Sequence, residues 1–394
     1  MSDLIREILA ATTYRRVDIE AVLDPARTSW CSFDPELGYV PRDVVLKDGM
    51  DFARATYTHE PGGQRKMVNY ADRPCRINTY GNSYAQAQQV SDDESWQERL
   101  AAHIGEPIRN FGIGGHSIYT ACLRARRMEA TDCAAEHLIL CIFDDDHVRN
   151  LDASRWIRTQ WNEKDRPPEH AWPQHGLPWA HLRFDLSAGR FVERPGLCKV
   201  PRDLMALTQP EHFYNSFFDD QIVRLFALEL GGEPRYDDLE AVAEALQIKV
   251  DLRDPSSRRA GAAKLRLMYG FKSTEYLLDT FVPWVQEQGK KLMIVLVYSP
   301  KELLNYLKGG ERFDRIFLEY LQRKNIVLVD ILEEHKIDFA SFCIRAEEYI
   351  ERYYIKPAAA AVFGHYSPVG NLWLAMAMKN DIIDWLNPKP PAYR

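Results

Sequence analysis

The sequence is short of several things, and each shortage narrows what it can be. Its seven cysteines (Cys31, Cys75, Cys122, Cys133, Cys141, Cys198 and Cys343) include no CxxC pair, and their number is odd. That spacing argues against a zinc ribbon or a disulfide framework, and Cys141 sits inside an apolar run; reduced, mostly buried thiols are expected. No apolar run approaches the length of a membrane span, so no membrane partner is expected. There is no basic block or stripe: 50 Lys and Arg are interspersed with 57 Asp and Glu, for a net charge of −7. A protein that grips nucleic acid needs a positive footprint to displace counterions, so no nucleic-acid partner is expected. The opening MSDLIREILAAT places charges where a secretory leader needs an apolar core, which points to a cytoplasmic location. Internal repeats and low-complexity tracts are absent too.

What is present is ample for a folded body. The chain has 394 residues, 46% of them hydrophobic and 11% aromatic, enough for one large domain with insertions or for two. Residues 1–70 show little periodicity beyond an opening helix over Leu4–Ala11, and read as an irregular flanking segment. From 71 to 150 strands and helices alternate. CRINTY reads as a strand, and DESWQERLAAHIG as a helix with a Ser91/Glu94 capping box, one face made by Trp96, Leu100 and Ile104, and a stop at Gly105. Ile108–Phe111 reads as a short strand, Gly112–Gly115 as a glycine-rich loop and Ser117–Met128 as a helix. The continuous apolar HLILCIF has the look of a strand buried on both faces.

Residues 151–270 interrupt the alternation as a large insertion, with a hairpin around Gly189 and helices near 215–230 and 237–246. Four of the nine tryptophans crowd into its first part. Over 271–394 the alternation resumes: a helix near Thr274–Gln288, the strand KLMIVLVY, a helix through Glu311–Lys324, the strand IVLVD and a closing helix capped by Ser367. The pattern predicts an α/β fold, a three-layer α/β/α sandwich on a parallel sheet.

Residues capable of chemistry fall at the strand ends: Ser83 in TYGNSY, Asn110 with Gly112–Gly115, and FDDDH (Phe143–His147), with His365 just ahead of the last helix. The carboxyl-end loops of a parallel sheet open on one edge, so these groups can converge there. Acyl transfer needs such a set: a nucleophile, a base and N–H donors for an oxyanion.

The block TYGNSYAQAQQVSDDESWQERL…NFGIGG resembles the GDSL/SGNH hydrolases, and the ending GHYSPVGN resembles that family's last block. The resemblance spans about 76–146 and 290–386. It implies the SGNH-hydrolase, flavodoxin-like version of the sandwich, Ser83 as nucleophile, His365 as base, and an oxyanion site from the Ser83 N–H and Gly115. The family's third-block asparagine is matched here by Asp145, whose carboxylate would repel an oxyanion unless protonated. The aspartate that normally lies three residues before the histidine is replaced by Val362, with Phe363 beside it. Either a Ser–His dyad operates, or another carboxylate (Asp330, Asp144 or Asp146) orients His365, or activity is lost. The resemblance implies a serine esterase needing no cofactor, with carbohydrate O-acyl groups as substrate. The insertion lies outside the resemblance; one or two of its Trp156, Trp161, Trp172 and Trp179 can form a stacking platform for a sugar.

Simpler readings stand beside these. Ser83 can be a turn residue, the glycines can serve packing, His365 can bond a helix end, and the tryptophans can pack the insertion. DDDH can be a metal cluster or a solvated loop; no metal is expected, because consecutive residues on one loop rarely face one ion, and His116 and His147 fit supporting roles. An acyltransferase, a glycan-binding protein with a decayed site, or a metal-dependent enzyme centred on 144–147 are the rival functions.

Overall fold

The computed structural model describes residues 4–27, 29–162, 176–355 and 364–394. Trp172, Val362 and Phe363 lie outside them. In chain order the strands are β1 (Cys31–Asp34), β2 (Gly38–Pro41), β3 (Val44–Leu46), β4 (Ala55–Tyr57), β5 (Ile77–Tyr80), β6 (Arg109–Asn110), β7 (His137–Phe143), β8 (His181–Asp185), β9 (Arg190–Arg194), β10 (Lys291–Val297) and β11 (Val327–Asp330). The chain forms two compact units.

One unit comprises Pro41–His116, Ala121–Asp144 and Asp279–Arg394. It holds a five-stranded sheet in the order β11-β10-β7-β5-β6, all pairs parallel. With flanking helices this is the expected α/β/α architecture. All seven residues of β7 are buried, as its unbroken apolar run requires for a central strand. Register is set along β7, where His137 pairs with both Ile77 and Lys291, and Phe143 with Val297. The chain runs from β5 outward to β6, then crosses to β7 on the other side of β5. That reversal is the switch point of a doubly wound sheet, where a crevice opens at the carboxyl ends. Helix Trp96–Ile104 buries Trp96, Leu100 and Ile104 completely and ends on Gly105 at φ +81°. The Ser91/Glu94 box caps a preceding 3-10 turn, Asp92–Glu94, and Ser95 caps the helix itself.

The other unit comprises Met1–Val40, Ser117–Thr120 and Asp145–Leu278. It contains helices Leu4–Thr12 and Arg16–Leu23, the antiparallel β8–β9 hairpin turning at Gly189 (φ +63°), and a run of helices from 201 onward. Its core stacks Tyr14 on Trp156 at 5.7 Å, with Phe213 edge-on to Tyr14 at 5.6 Å.

Three sequence expectations change. Among the described residues of 1–70 the expected opening helix, Leu4–Thr12, is joined by the helix Arg16–Leu23 and by four strands of three or four residues, each strand too short to show a period. The helix expected from Thr274 begins at Arg258 and runs to Glu287. Gly270 inside it looks like a break, but a Cβ there would come 2.9 Å from the His147 backbone, so the glycine serves close approach. Helix Pro300–Leu307 was not expected, although Ser299, Pro300 and Glu302 spell its start. No disulfide joins any of the seven cysteines; five are buried, Cys133 is half-buried and Cys343 exposed. No helix among the described residues is long and apolar enough to cross a membrane.

Candidate active site at the carboxyl edge of the sheet

β5 ends in a turn that only glycine can make. Gly81 has φ +143°, and a Cβ there would lie 2.6 Å from the Cys141 carbonyl oxygen of neighbouring β7. The chain then enters a one-turn helix, Ser83–Gln86, whose cap Asn82 accepts from the Tyr84 N–H at 2.8 Å. Ser83 is its first residue and is buried, at 8% exposure. A first-turn N–H has no intrahelical acceptor, and no described residue accepts from that of Ser83.

The loop after β6 is stitched to the end of β5. Phe111 N–H donates to the Thr79 carbonyl at 2.8 Å, and Ile113 N–H to the Gly81 carbonyl at 3.0 Å. Gly112 lies so close to the Ser83 helix that a Cβ would stand 2.2 Å from Gln86 N. Gln86 Oε1 accepts from Gly114 N–H at 2.8 Å. Gly115 follows at φ +83°, and its N–H also donates to no described residue.

His365 is 6% exposed and precedes the helix Pro368–Trp385, whose cap Ser367 accepts from Gly370 N–H at 3.0 Å. Its ring lies 5.2 Å from that of Tyr84, which stacks on Phe143 at 5.0 Å. The residue after Ser83 thus touches both the end of β7 and the histidine. Both the backbone N–H of His365 (2.9 Å) and its Nδ1 (2.7 Å) meet Gln89 Oε1. Gln89 has φ +74°, a left-handed conformation that a non-glycine residue adopts only when its surroundings impose it. They do so here: its N–H donates to Tyr57 Oη at 2.6 Å, its Nε2 to the Asp48 carbonyl at 2.7 Å, and Tyr57 Oη to Asp48 Oδ2 at 2.9 Å. Burial pushes the Asp48 carboxyl up to about 6.

The remaining candidates have other partners. Asp144, at the end of β7, accepts from Ser299 N–H at 3.4 Å. Asp145 belongs to the other unit, where it accepts from Arg149 at 2.9 Å and Arg158 at 3.3 Å. Burial alone would raise its pKa, but Arg158, Arg149 and Arg155 hold it well below the carboxylate range. An ionised carboxylate only accepts, so Asp145 supplies no donor for an oxyanion. Asp146 takes Arg149 at 2.7 Å, and His147 Nδ1 lies 2.8 Å from Thr274 Oγ1. Asp330 caps helix Ile331–Phe339 through Leu332 N–H (3.1 Å) and binds Arg312 at 2.6 Å. The described partner of His365 Nδ1 is therefore an amide oxygen, not one of these carboxylates.

Two of the tryptophans are core. Trp156 donates from Nε1 to the Thr12 carbonyl at 2.7 Å, and Trp179 is fully buried beside Tyr39. Neither presents a face to a sugar. Trp161 is half-buried, and Trp172 lies outside the described residues. Among the described residues no three His, Cys, Asp or Glu side chains are grouped to hold a metal ion.

Sequence reading missed Gln89, Tyr57, Asp48 and Arg65. Gln89 closes the AQAQQ run that begins inside the serine helix, and repeated glutamines carry no signal of their own.

No family model matches the chain, and no curated protein does. Among solved structures, one titled "putative lipolytic protein of G-D-S-L family" from Desulfitobacterium hafniense DCB-2 is similar. It is 11% identical with a TM-score of 0.34, over 78% of this chain and 98% of that one. A likeness that faint adds nothing to the site's geometry.

Proposed function

We propose that this protein is a serine hydrolase that cleaves an ester, a small acyl group such as acetyl carried on a carbohydrate. Ser83 Oγ attacks the acyl carbonyl while His365 takes the hydroxyl proton. The Ser83 and Gly115 N–H groups hold the oxygen that becomes negative. His365 then returns the proton to the leaving alcohol, and water repeats the sequence on the acyl-enzyme. One oxyanion donor is typically worth about 10²–10³ in rate, so two preset N–H groups matter as much as the base.

One observation carries the reading. The Ser83 N–H and the Gly115 N–H are both without a described acceptor, on segments that Gly112 and the Gln86–Gly114 bond pack together at the switch-point edge. The carbohydrate part rests on the family resemblance alone, since Trp156 and Trp179 are core residues.

Intact-mass labelling with a fluorophosphonate tests the proposal. The expected result is one adduct on the wild type and none on Ser83→Ala. Equal labelling of both, or of neither, counts against it.

A further inference from the structure

In a Ser–His site the imidazole must hold its proton on the nitrogen facing away from the serine, and a carboxylate usually sees to that. Here the described partner of His365 Nδ1 is Gln89 Oε1 at 2.7 Å. An amide can present oxygen or nitrogen to a ring, so which it presents decides the outcome. Two backbone groups settle this for Gln89. One end faces the Asp48 carbonyl at 2.7 Å, which can only accept; the other faces the His365 N–H at 2.9 Å, which can only donate. A flipped amide would set oxygen against oxygen and N–H against N–H. Oε1 is therefore the acceptor, and a neutral His365 ring carries its proton on Nδ1 and its lone pair on Nε2.

We infer that Gln89 is the positioning residue of the site: a neutral amide that fixes the tautomer and ring orientation of His365 in place of a triad carboxylate. The inference rests on the proposed hydrolase reading for its catalytic meaning, though not for its geometry. Gln89 itself is held on both flanks. Tyr57 takes its N–H in the left-handed conformation, and Arg65 donates to the carbonyls of Gln86 (2.8 Å) and Ala87 (2.7 Å) just before it. It lies six residues after Ser83, on the loop leaving the same one-turn helix. An amide locks the ring without a negative charge, so it sets which nitrogen is the base and leaves the imidazolium with less support than a carboxylate gives.

The test is ¹⁵N NMR of histidine side chains in the full-length protein, with the His365 signals identified by their loss in His365→Asn. It is paired with the saturation kinetics of fluorophosphonate acylation. Wild type should show the Nδ1–H form. Gln89→Met, of similar volume but with no amide, should lose that preference and acylate about 10²-fold more slowly. Half-saturation should stay within about twofold, since the reagent does not touch Gln89. Gln89→Asn tolerates the left-handed backbone and withdraws the amide by one methylene, so it should show the same two losses; it decides the matter if the Met variant does not fold. Retention of the Nδ1–H form in a folded variant, with acylation within threefold of wild type, overturns the inference. Absence of any wild-type adduct defeats the hydrolase reading instead, and the tautomer is still read directly.

Discussion

Arg65 Nε donates to Asp92 Oδ1 at 2.9 Å, and the rest of the same guanidinium is used up on the carbonyls of Gln86, Ala87, Val90 and Thr56. Both side chains are nearly out of solvent, at 2% and 11% exposure. One cation thus collects the carbonyls of a loop whose left-handed residues, Ala87 and Gln89, cannot pair with one another in a regular element.

Arg65→Met should lower unfolding free energy by about 3–5 kcal/mol, because it strips a buried carboxylate of its cationic partner and several carbonyls of a donor. Urea unfolding measures this. Adding Asp92→Leu should restore part of the loss, while fluorophosphonate labelling of Ser83 stays slow because the loop has lost its clamp. A single-mutant effect under 1 kcal/mol would show that the loop is held by something else.

Gly112→Ala tests how tightly the glycine loop and the serine helix are packed. The new methyl would overlap Gln86 N, which is backbone and cannot swing aside. A destabilisation of about 3 kcal/mol is expected, with loss of labelling. Gly189→Ala is the control: its Cβ meets nothing within 4 Å, and only the φ of +63° is strained, so it should cost about 1 kcal/mol. Equal effects at the two sites would refute the packing argument.

His137 gives a pH prediction with a definite sign. Neither ring nitrogen has a described hydrogen-bond partner, and the ring meets Trp385 edge-on at 4.9 Å. Burial, helped by the charges of Arg76 and Lys291, pushes its pKa down to about 4 from an ordinary 6.5. The unfolded chain therefore binds a proton that the folded chain refuses. The stability held above pH 6.5 is lost as pH falls toward 4. His137→Leu should flatten the slope of the urea midpoint between pH 7 and pH 5. An unchanged slope would assign it to the other buried imidazoles: His59 and His181, also pushed down to about 4 mainly by burial, and His335, which burial pushes well below its ordinary value.

The parts of this fold that are legible in the sequence are those where one strong local force acts. Six apolar residues in a row after His137, rich in β-branched and aromatic side chains, read as a strand buried on both faces, and β7 is one. Trp96, Leu100 and Ile104 read as one buried face, and Gly105 as a stop, because period and φ are local properties. The long helix from Arg258 hides behind Gly261 and Gly270, where contact with distant chain overrides helix propensity. Among the site residues, Ser83 and His365 stand in recognisable turns. Gln89 does not, because its role comes from what faces each end of its amide, and those partners are 41 and 276 residues away. The tryptophans misled for the opposite reason: a cluster in sequence suggests a surface, but large rings carry the greatest incentive to be buried.

β7 and β10 are hydrogen-bonded neighbours at the middle of the sheet, yet the chain leaves one and returns to the other about 150 residues later. Loop-closure entropy grows only logarithmically, by about 0.6 kcal/mol per doubling, so the excursion adds little to the equilibrium free energy. Its consequence is in time. On a ribosome adding about 5–20 residues per second, the edge of β7 waits roughly 10–30 s for its partner. Throughout that interval His137–Phe143 is an unpaired apolar template of the kind that recruits other chains. Yield in the cell should accordingly follow translation speed and chaperone supply more closely than it follows the stability of the finished molecule.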